Sequence, residues 1–268
     1  MSSFQILQGK HAVVFGAGGS IGSAVAREFA AEGAEVFLSG RSSSSVEAVA
    51  RQIAANGGTA HAAALDVADD AAVNRYVDGI VKRAGKIDVV LDAAGPRARE
   101  YGNGKIALEL TIEEFLEPLT TMVRSRFITA RAAARHMVKQ RSGVILFVTG
   151  SPARGHVPGA TAIGAAFGAM ESLTENLACE VSPFGVRVVC LRTLANIDSR
   201  SIQDTMTLLA GQLNITTEQA TAQIAQSNFL RISATVQDTA NAAVLIASDR
   251  ARMLTGTVVN ATAGAALD

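Results

Sequence analysis

His11–Arg27 reads HAVVFGAGGSIGSAVAR, an apolar run that passes through glycines straight into an amphipathic helical pattern. His11 to Phe15 carries no break, as expected of a strand buried on both faces of a parallel sheet. Gly16, Gly18, Gly19 and Gly22 remove side chains where the backbone must bend, while Ala24, Val25 and Phe29 give the next segment an apolar face. The stretch is therefore a strand, a tight turn and a bare helix N-terminus. Unpaired amides and the positive end of the helix dipole attract phosphate at such a terminus, and missing Cβ atoms let a pyrophosphate approach the backbone. A dinucleotide site is expected at Gly16, Gly18, Ser20, Ile21 and Gly22. Glycine turns of this kind also serve S-adenosylmethionine or bind nothing, so the remainder of the chain decides between these readings.

Working outward, the 268 residues are 49% hydrophobic, enough for one large α/β domain spanning residues 1–268. Lys+Arg and Asp+Glu are both 24, so no net field holds nucleic acid or an anionic membrane. Aromatic residues at 4% with no Trp leave no stacking platform for single strands. The opening MSSFQILQGK lacks a charged-then-apolar targeting pattern, and no apolar run reaches the roughly 18 residues of a membrane span. A cytoplasmic protein with no nucleic-acid or membrane partner is expected. Cys179 and Cys190 have no CxxC spacing and no neighbouring His, so they read as reduced core thiols, with neither a metal site nor a disulfide.

Strand and helix patterns then alternate along the chain. Strands are read at Glu35–Ser39, Thr59–Leu65, Asp88–Ala93, Val144–Thr149, Val186–Leu191 and Thr257–Ala261. Helices are read at Val46–Ala55, from an N-cap at Asp69 to Ala84, from Thr111 to about Arg141 with an interruption near Pro118, over Ser199–Asn228, and after a cap at Gln237-Asp238. This alternation demands a doubly wound parallel sheet of about seven strands. The second strand ends Ser39, Gly40, Arg41. An acid at its tip would bind the ribose hydroxyls of NAD; here there is no carboxylate, and Arg41 is placed to pair with a 2′-phosphate. NADP is favoured, with NAD as the alternative, and a methyltransferase is disfavoured because its cofactor usually wants an acid where Gly40 stands.

Phe15-Gly16-Ala17-Gly18-Gly19-Ser20-Ile21-Gly22 resembles the TGxxxGIG turn of the short-chain dehydrogenases/reductases, with Phe15 and Ser20 departing from it. Asp92-Ala93-Ala94-Gly95 resembles their NNAG element, and the helix before Glu171-Ser172-Leu173 resembles their active-site helix. The resemblance spans roughly residues 9–264. It implies a Rossmann fold, Asp66 and Val67 against adenine, and Ala93, Ala94 and Gly95 along the cofactor. A variable substrate lid at about 199–228 and a homo-dimer or homo-tetramer paired through helices near 115–141 and 162–182 are implied as well. The family's proton relay uses Tyr and Lys in YxxxK, but alignment on Glu171-Ser172-Leu173 puts Ile163 and Phe167 there, and Met122 where the family has an Asn. Ser151 stands near the family's serine position. His156, in the loop that follows, is the candidate acid, since imidazole titrates near neutral pH. The expected activity is an NADP(H)-favouring oxidoreductase with a non-standard active site, acting on a small molecule such as a carbonyl or an activated alkene. A catalytically silent dinucleotide-binding protein, sensor or partner subunit, is the alternative.

Overall fold

A computed structural model describes residues 5–268. The reading of the first ten residues as free of a targeting pattern falls partly outside that range. The chain forms β1 (His11–Phe15), α1 (Ser20–Ala31), β2 (Glu35–Gly40), α2 (Ser43–Ala55), β3 (Thr59–Ala64), α3 (Asp70–Ala84) and β4 (Val89–Asp92) in its first part. It continues with α4 (Ile112–Pro118), α5 (Arg124–Gln140), β5 (Gly143–Gly150), α6 (Thr161–Val181), β6 (Val186–Thr193), α7 (Arg200–Leu213), α8 (Thr217–Gln226), α9 (Val236–Ala247) and β7 (Thr257–Ala261). All seven strands are parallel in the order β3-β2-β1-β4-β5-β6-β7, the doubly wound sheet that the alternation demands.

The two sheet faces are both apolar because successive side chains on each strand point to opposite sides. Val14, Val36, Leu38, Leu91, Leu146 and Leu191 pack against the α1, α2 and α9 side. Val13, Phe37, Val90, Ile145, Phe147 and Cys190 pack against the side that carries α3, α5 and α6. The strand order reverses between β1 and β4, and a crevice at the carboxyl ends of the strands is where open α/β sheets bind ligands. Both the glycine turn after β1 and Ala93–Gly95 after β4 flank this switch point. The helices of the 199–228 segment close a small apolar cluster of their own, Met206, Ala210 and Ala220.

Several boundaries and environments differ from expectation. Helix α2 starts before Val46 and takes in Ser43–Ser45: Ser42 is the N-cap, its hydroxyl accepting from the Ser45 amide, because a hydroxyl satisfies an otherwise open helix start. The last main helix begins at Val236 with Thr235 as its cap, two residues before Gln237, and Thr235 and Asp238 cap each other's amides. Strand β6 runs on to Thr193, since that residue still pairs with Gly150 and Ala261. Cys179 is exposed rather than core, lying on the outer side of α6; Cys190 is buried as expected. Between α4 and α5 the chain makes a π-turn, Leu119–Val123, immediately after Pro118, whose ring and missing N–H interrupt regular helix.

Candidate active site at the carboxyl edge of the sheet

The cradle is built from backbone. Gly16 has φ +72°, and a Cβ there would lie 2.5 Å from the Ala94 nitrogen, so the turn folds directly onto the end of β4. A Cβ on Gly22 would strike the Gly16 carbonyl, which lets α1 begin immediately behind the turn. Unlike α2, α3, α4, α7, α8 and α9, helix α1 receives no side-chain cap. Its N-terminal amides therefore fit a phosphate. Ser20 faces the neighbouring segment, its hydroxyl accepting from the Arg200 amide at 3.1 Å; this brings the start of α7 over the turn. Ile21 packs onto the α1-side core.

At the far end of the cradle, Gly40 is confined: a Cβ there would meet Val46 Cγ2 at 3.0 Å and the Gly18 nitrogen at 3.8 Å. Arg41 is exposed and forms no ion pair or hydrogen bond among the described residues, and in the residues that follow it the Ser42 hydroxyl lies 3.1 Å from that of Ser44 and 3.0 Å from that of Ser45. Asp66 is exposed; one carboxylate oxygen accepts from the Ala68 amide at 3.0 Å, and Val67 packs onto the core. Ala93 donates to the Phe15 carbonyl at 3.0 Å, Ala94 lies beside Gly16, and Gly95 faces Met122, whose sulfur would be 3.6 Å from a Cβ. The cofactor candidates Gly16, Gly18, Ser20, Gly22, Ala93, Ala94 and Gly95 thus converge, with Arg41, Asp66 and Val67 along the β2–β3 side.

The end of the sheet edge beside β5 is different in kind. Ile163 is buried and Phe167, one turn on, lays its ring against Gly150 at the tip of β5. Neither side chain can carry a proton, and Met122 sits in the same apolar cluster. Ser151 opens a short turn after β5, held close to α6 because Gly164 allows the Pro152 carbonyl to approach its backbone. Its hydroxyl makes no hydrogen bond among the described residues. His156 is exposed at φ +48°, with no hydrogen-bond partner among the described residues, so nothing orients it toward Ser151. Tyr101 is buried where the loop after β4 meets α7; burial pushes its phenol up, and the Ser201 hydroxyl works the other way. Loop contacts close over this end, with Asn103 donating to the Thr205 hydroxyl at 2.7 Å and the Gly104 amide to the Gly159 carbonyl at 2.8 Å.

Two buried charge clusters were not assigned from the sequence. Glu171 on α6 accepts two hydrogen bonds from Arg192 on β6, at 2.8 and 2.9 Å, with both residues almost fully buried. Arg192 also donates to the Asp268 carboxylate, and Arg154 approaches Glu171 at 3.5 Å. The hydrogen bonds to Glu171 raise the Arg192 pKa, and the hydrogen bond from Arg192 holds the Asp268 carboxyl below its ordinary value. Beside it, burial pushes the Cys190 thiol up to about 12. In the second cluster, buried Asp92 accepts from the Ala94 amide at 2.8 Å and from the Thr129 hydroxyl at 3.1 Å. Arg126, on α5, donates to the Ala94 carbonyl and stands 3.7 Å from Asp92. Burial lowers the Arg126 pKa while Asp92 opposes that shift. The only sequence signal for either cluster is a charged residue placed among apolar core positions.

Parallel seven-stranded topology, a Cβ-free turn at the switch point and an uncapped helix behind it define a dinucleotide-fold protein. Residues 10–200 match the family described as short chain dehydrogenase, and the chain belongs to that family. It is 32% identical over 253 residues to 4-formylbenzenesulfonate dehydrogenase of Comamonas testosteroni, covering 94% of this chain and 96% of that protein. Among solved structures it resembles a 7α-hydroxysteroid dehydrogenase complexed with NADH and 7-oxo glycochenodeoxycholic acid, at TM-score 0.84 and 26% identity over 100% of this chain and 99% of the other. It shares the fold of an NAD+-bound xylitol dehydrogenase at TM-score 0.85 and 24% identity, covering 96% of this chain and 99% of that one. Among the described residues no helix is long and apolar enough to cross a membrane, and no group of three or more His, Cys, Asp or Glu is placed to hold a metal.

Proposed function

We propose that this chain is an NADP(H)-dependent oxidoreductase acting on a small molecule, with an active site that works without the Tyr–Lys relay of its family. The carrying observation is the uncapped start of α1 behind a turn that only glycine can form at Gly16 and Gly22. Ser20, Ile21 and Gly22 would present amides to the pyrophosphate, Asp66 and Val67 would meet adenine, and Ala93, Ala94 and Gly95 would line the path to the nicotinamide. Unpaired Arg41, the hydroxyls of Ser42–Ser45 and the absence of a carboxylate at Gly40 support NADP over NAD.

When bound, the nicotinamide supplies the hydride. Ser151 polarises the acceptor oxygen, and His156 is the candidate to deliver the proton. With apolar Ile163 and Phe167 where the family resemblance expects Tyr and Lys, the site favours a carbonyl or activated alkene whose acceptor atom needs little help. Residues 199–228, carrying α7 and α8, act as the lid over a single domain. The protein works in the cytoplasm as a homo-dimer or homo-tetramer joined through the α5 and α6 faces. The second reading, a silent dinucleotide-binding sensor or partner subunit, is favoured by one observation: exposed His156 has nothing to orient it.

Thermal shift with NADPH, NADH and S-adenosylmethionine tests the cofactor: stabilisation by NADPH more than by NADH is expected, and a shift with the methyl donor alone overturns the reading. NADPH consumption against ketones, quinones and enones then tests catalysis. Ser151→Ala and His156→Ala should each slow turnover, by about 10²-fold or more for a true general acid. Binding without turnover of any acceptor selects the silent reading.

A further inference from the structure

The end of β4 carries a feature that the cofactor reading does not use. Asp92 is fully enclosed, and its two oxygens are occupied by the Ala94 amide and the Thr129 hydroxyl. A neutral Asn would meet the same two partners, accepting from one and facing the other with its amide. The charge on Asp92 is thus surplus to those bonds, and it sits 3.7 Å from an equally buried cation, Arg126. Arg126 reaches past Asp92 to the Ala94 carbonyl and to the Ser125 hydroxyl at 3.1 Å, and Ser125 is tied in turn to the Met122 carbonyl in the π-turn at 3.0 Å. Both the N–H and the C=O of Ala94 are therefore held by this pair, and Ala94 is the residue against which Gly16 closes. Burying a lone carboxylate or a lone guanidinium here would be costly, whereas together they are neutral. The Arg126 Nε–H remains buried without a partner, so the residue is not kept for perfect internal satisfaction.

We propose that Asp92 and Arg126 form a charge-compensated clamp on Ala94, and that this clamp is a positioning device for the glycine turn and hence for dinucleotide affinity. Neither residue touches the reacting atoms. Their effect passes from Asp92 and Arg126 to Ala94, from Ala94 to Gly16, and from Gly16 to the start of α1. The affinity half of the proposal rests on the cofactor reading above; the mechanical half does not.

The experiment compares wild type with Asp92→Asn, Arg126→Met and the double variant, far below their unfolding temperatures. Native-state hydrogen exchange of the amides in 93–95 and 16–22 is measured without ligand, and NADPH and NADH dissociation constants are measured by titration. Each single substitution leaves one buried charge uncompensated, so it should speed exchange in both segments and weaken dinucleotide binding about tenfold. The double variant carries no uncompensated charge but still lacks a donor to the Ala94 carbonyl, so it should unfold at a higher denaturant concentration than either single variant while exchange at 93–95 and 16–22 stays fast. Where Arg126→Met does not fold, Arg126→Lys keeps the charge while losing the guanidinium's planar reach, and should still speed exchange at 93–95 and 16–22. Wild-type exchange at 16–22 in the single variants overturns the clamp, as does wild-type exchange there in the double variant. Wild type that binds neither NADPH nor NADH removes the cofactor reading instead, and the exchange pattern alone then decides the clamp.

Discussion

The carboxyl ends of β1 and β4 and the carboxyl ends of β5 and β6 lie along one edge of one sheet, yet they are made of different materials. At the first, two backbone segments touch: Gly16 against Ala94, with Gly22 folding the start of α1 behind them. At the second, side chains fill the space, with Phe167 on Gly150 and the Glu171–Arg192 pair beneath. A region made of backbone contacts depends on what is missing from its residues. A region made of buried charge depends on each partner being present. The first should therefore be sensitive to any added atom, and the second to any removed charge.

The largest effect should come from the charged region. Arg192→Met leaves Glu171 buried with only Thr149 and the more exposed Arg154 beside it, and should cost about 3–5 kcal/mol in denaturant unfolding. A loss below about 1 kcal/mol would show that the β5–β6 end is held by packing rather than by charge. Next comes Gly16→Ala, which demands a positive φ from alanine and a Cβ pressed onto Ala94; about 2–3 kcal/mol of stability should go, together with dinucleotide binding. Retained binding in this variant would erase the contrast between the two regions.

The smallest effect is a pH dependence at the edge of the charged region. Asp268 is held below the ordinary carboxylate range by Arg192, so its folded pKa lies under its unfolded one. Its contribution is present above the unfolded value, near about 3.9, and fades as the pH falls through the lower folded value. The stability difference between wild type and Asp268→Asn should thus be greatest near neutral pH and vanish in acid, as followed by urea unfolding across pH. A difference that grows in acid would mean that Asp268 is not the partner it looks to be.

Much of the first region was legible because backbone requirements leave marks in residue type. Gly16, Gly18 and Gly22 at fixed spacing, a strand with no polar break and a helix with no cap all follow from local geometry. The parallel sheet of about seven strands follows from the alternation, while its order, β3-β2-β1-β4-β5-β6-β7, came only with the structure. The 42–45 serines were harder to place, because the same hydroxyls suit a loop or an N-cap, and only the observed Ser42–Ser45 bond decides. Cys179 was misplaced because small residues on both sides of α6 blur which face is inward. His156 was chosen by titration range, a property of the residue alone; its exposure and unsupported ring depend on how the 151–160 loop folds back on Gly104.

By itself the sequence determined the element order, the parallel sheet and the glycine turn after the first strand. Those features depend on each residue's own backbone freedom or chemistry. Only the tertiary structure decided which polar groups meet: Arg126 with Asp92 and the Ala94 carbonyl, Glu171 with Arg192, Arg192 with Asp268, and the Ser20 hydroxyl with the Arg200 amide. The reason is physical. A buried charge is recognisable as an oddity in an apolar pattern, but its partner comes from another element, up to 76 residues away. Nothing in the local chain records that distance until the sheet has closed it.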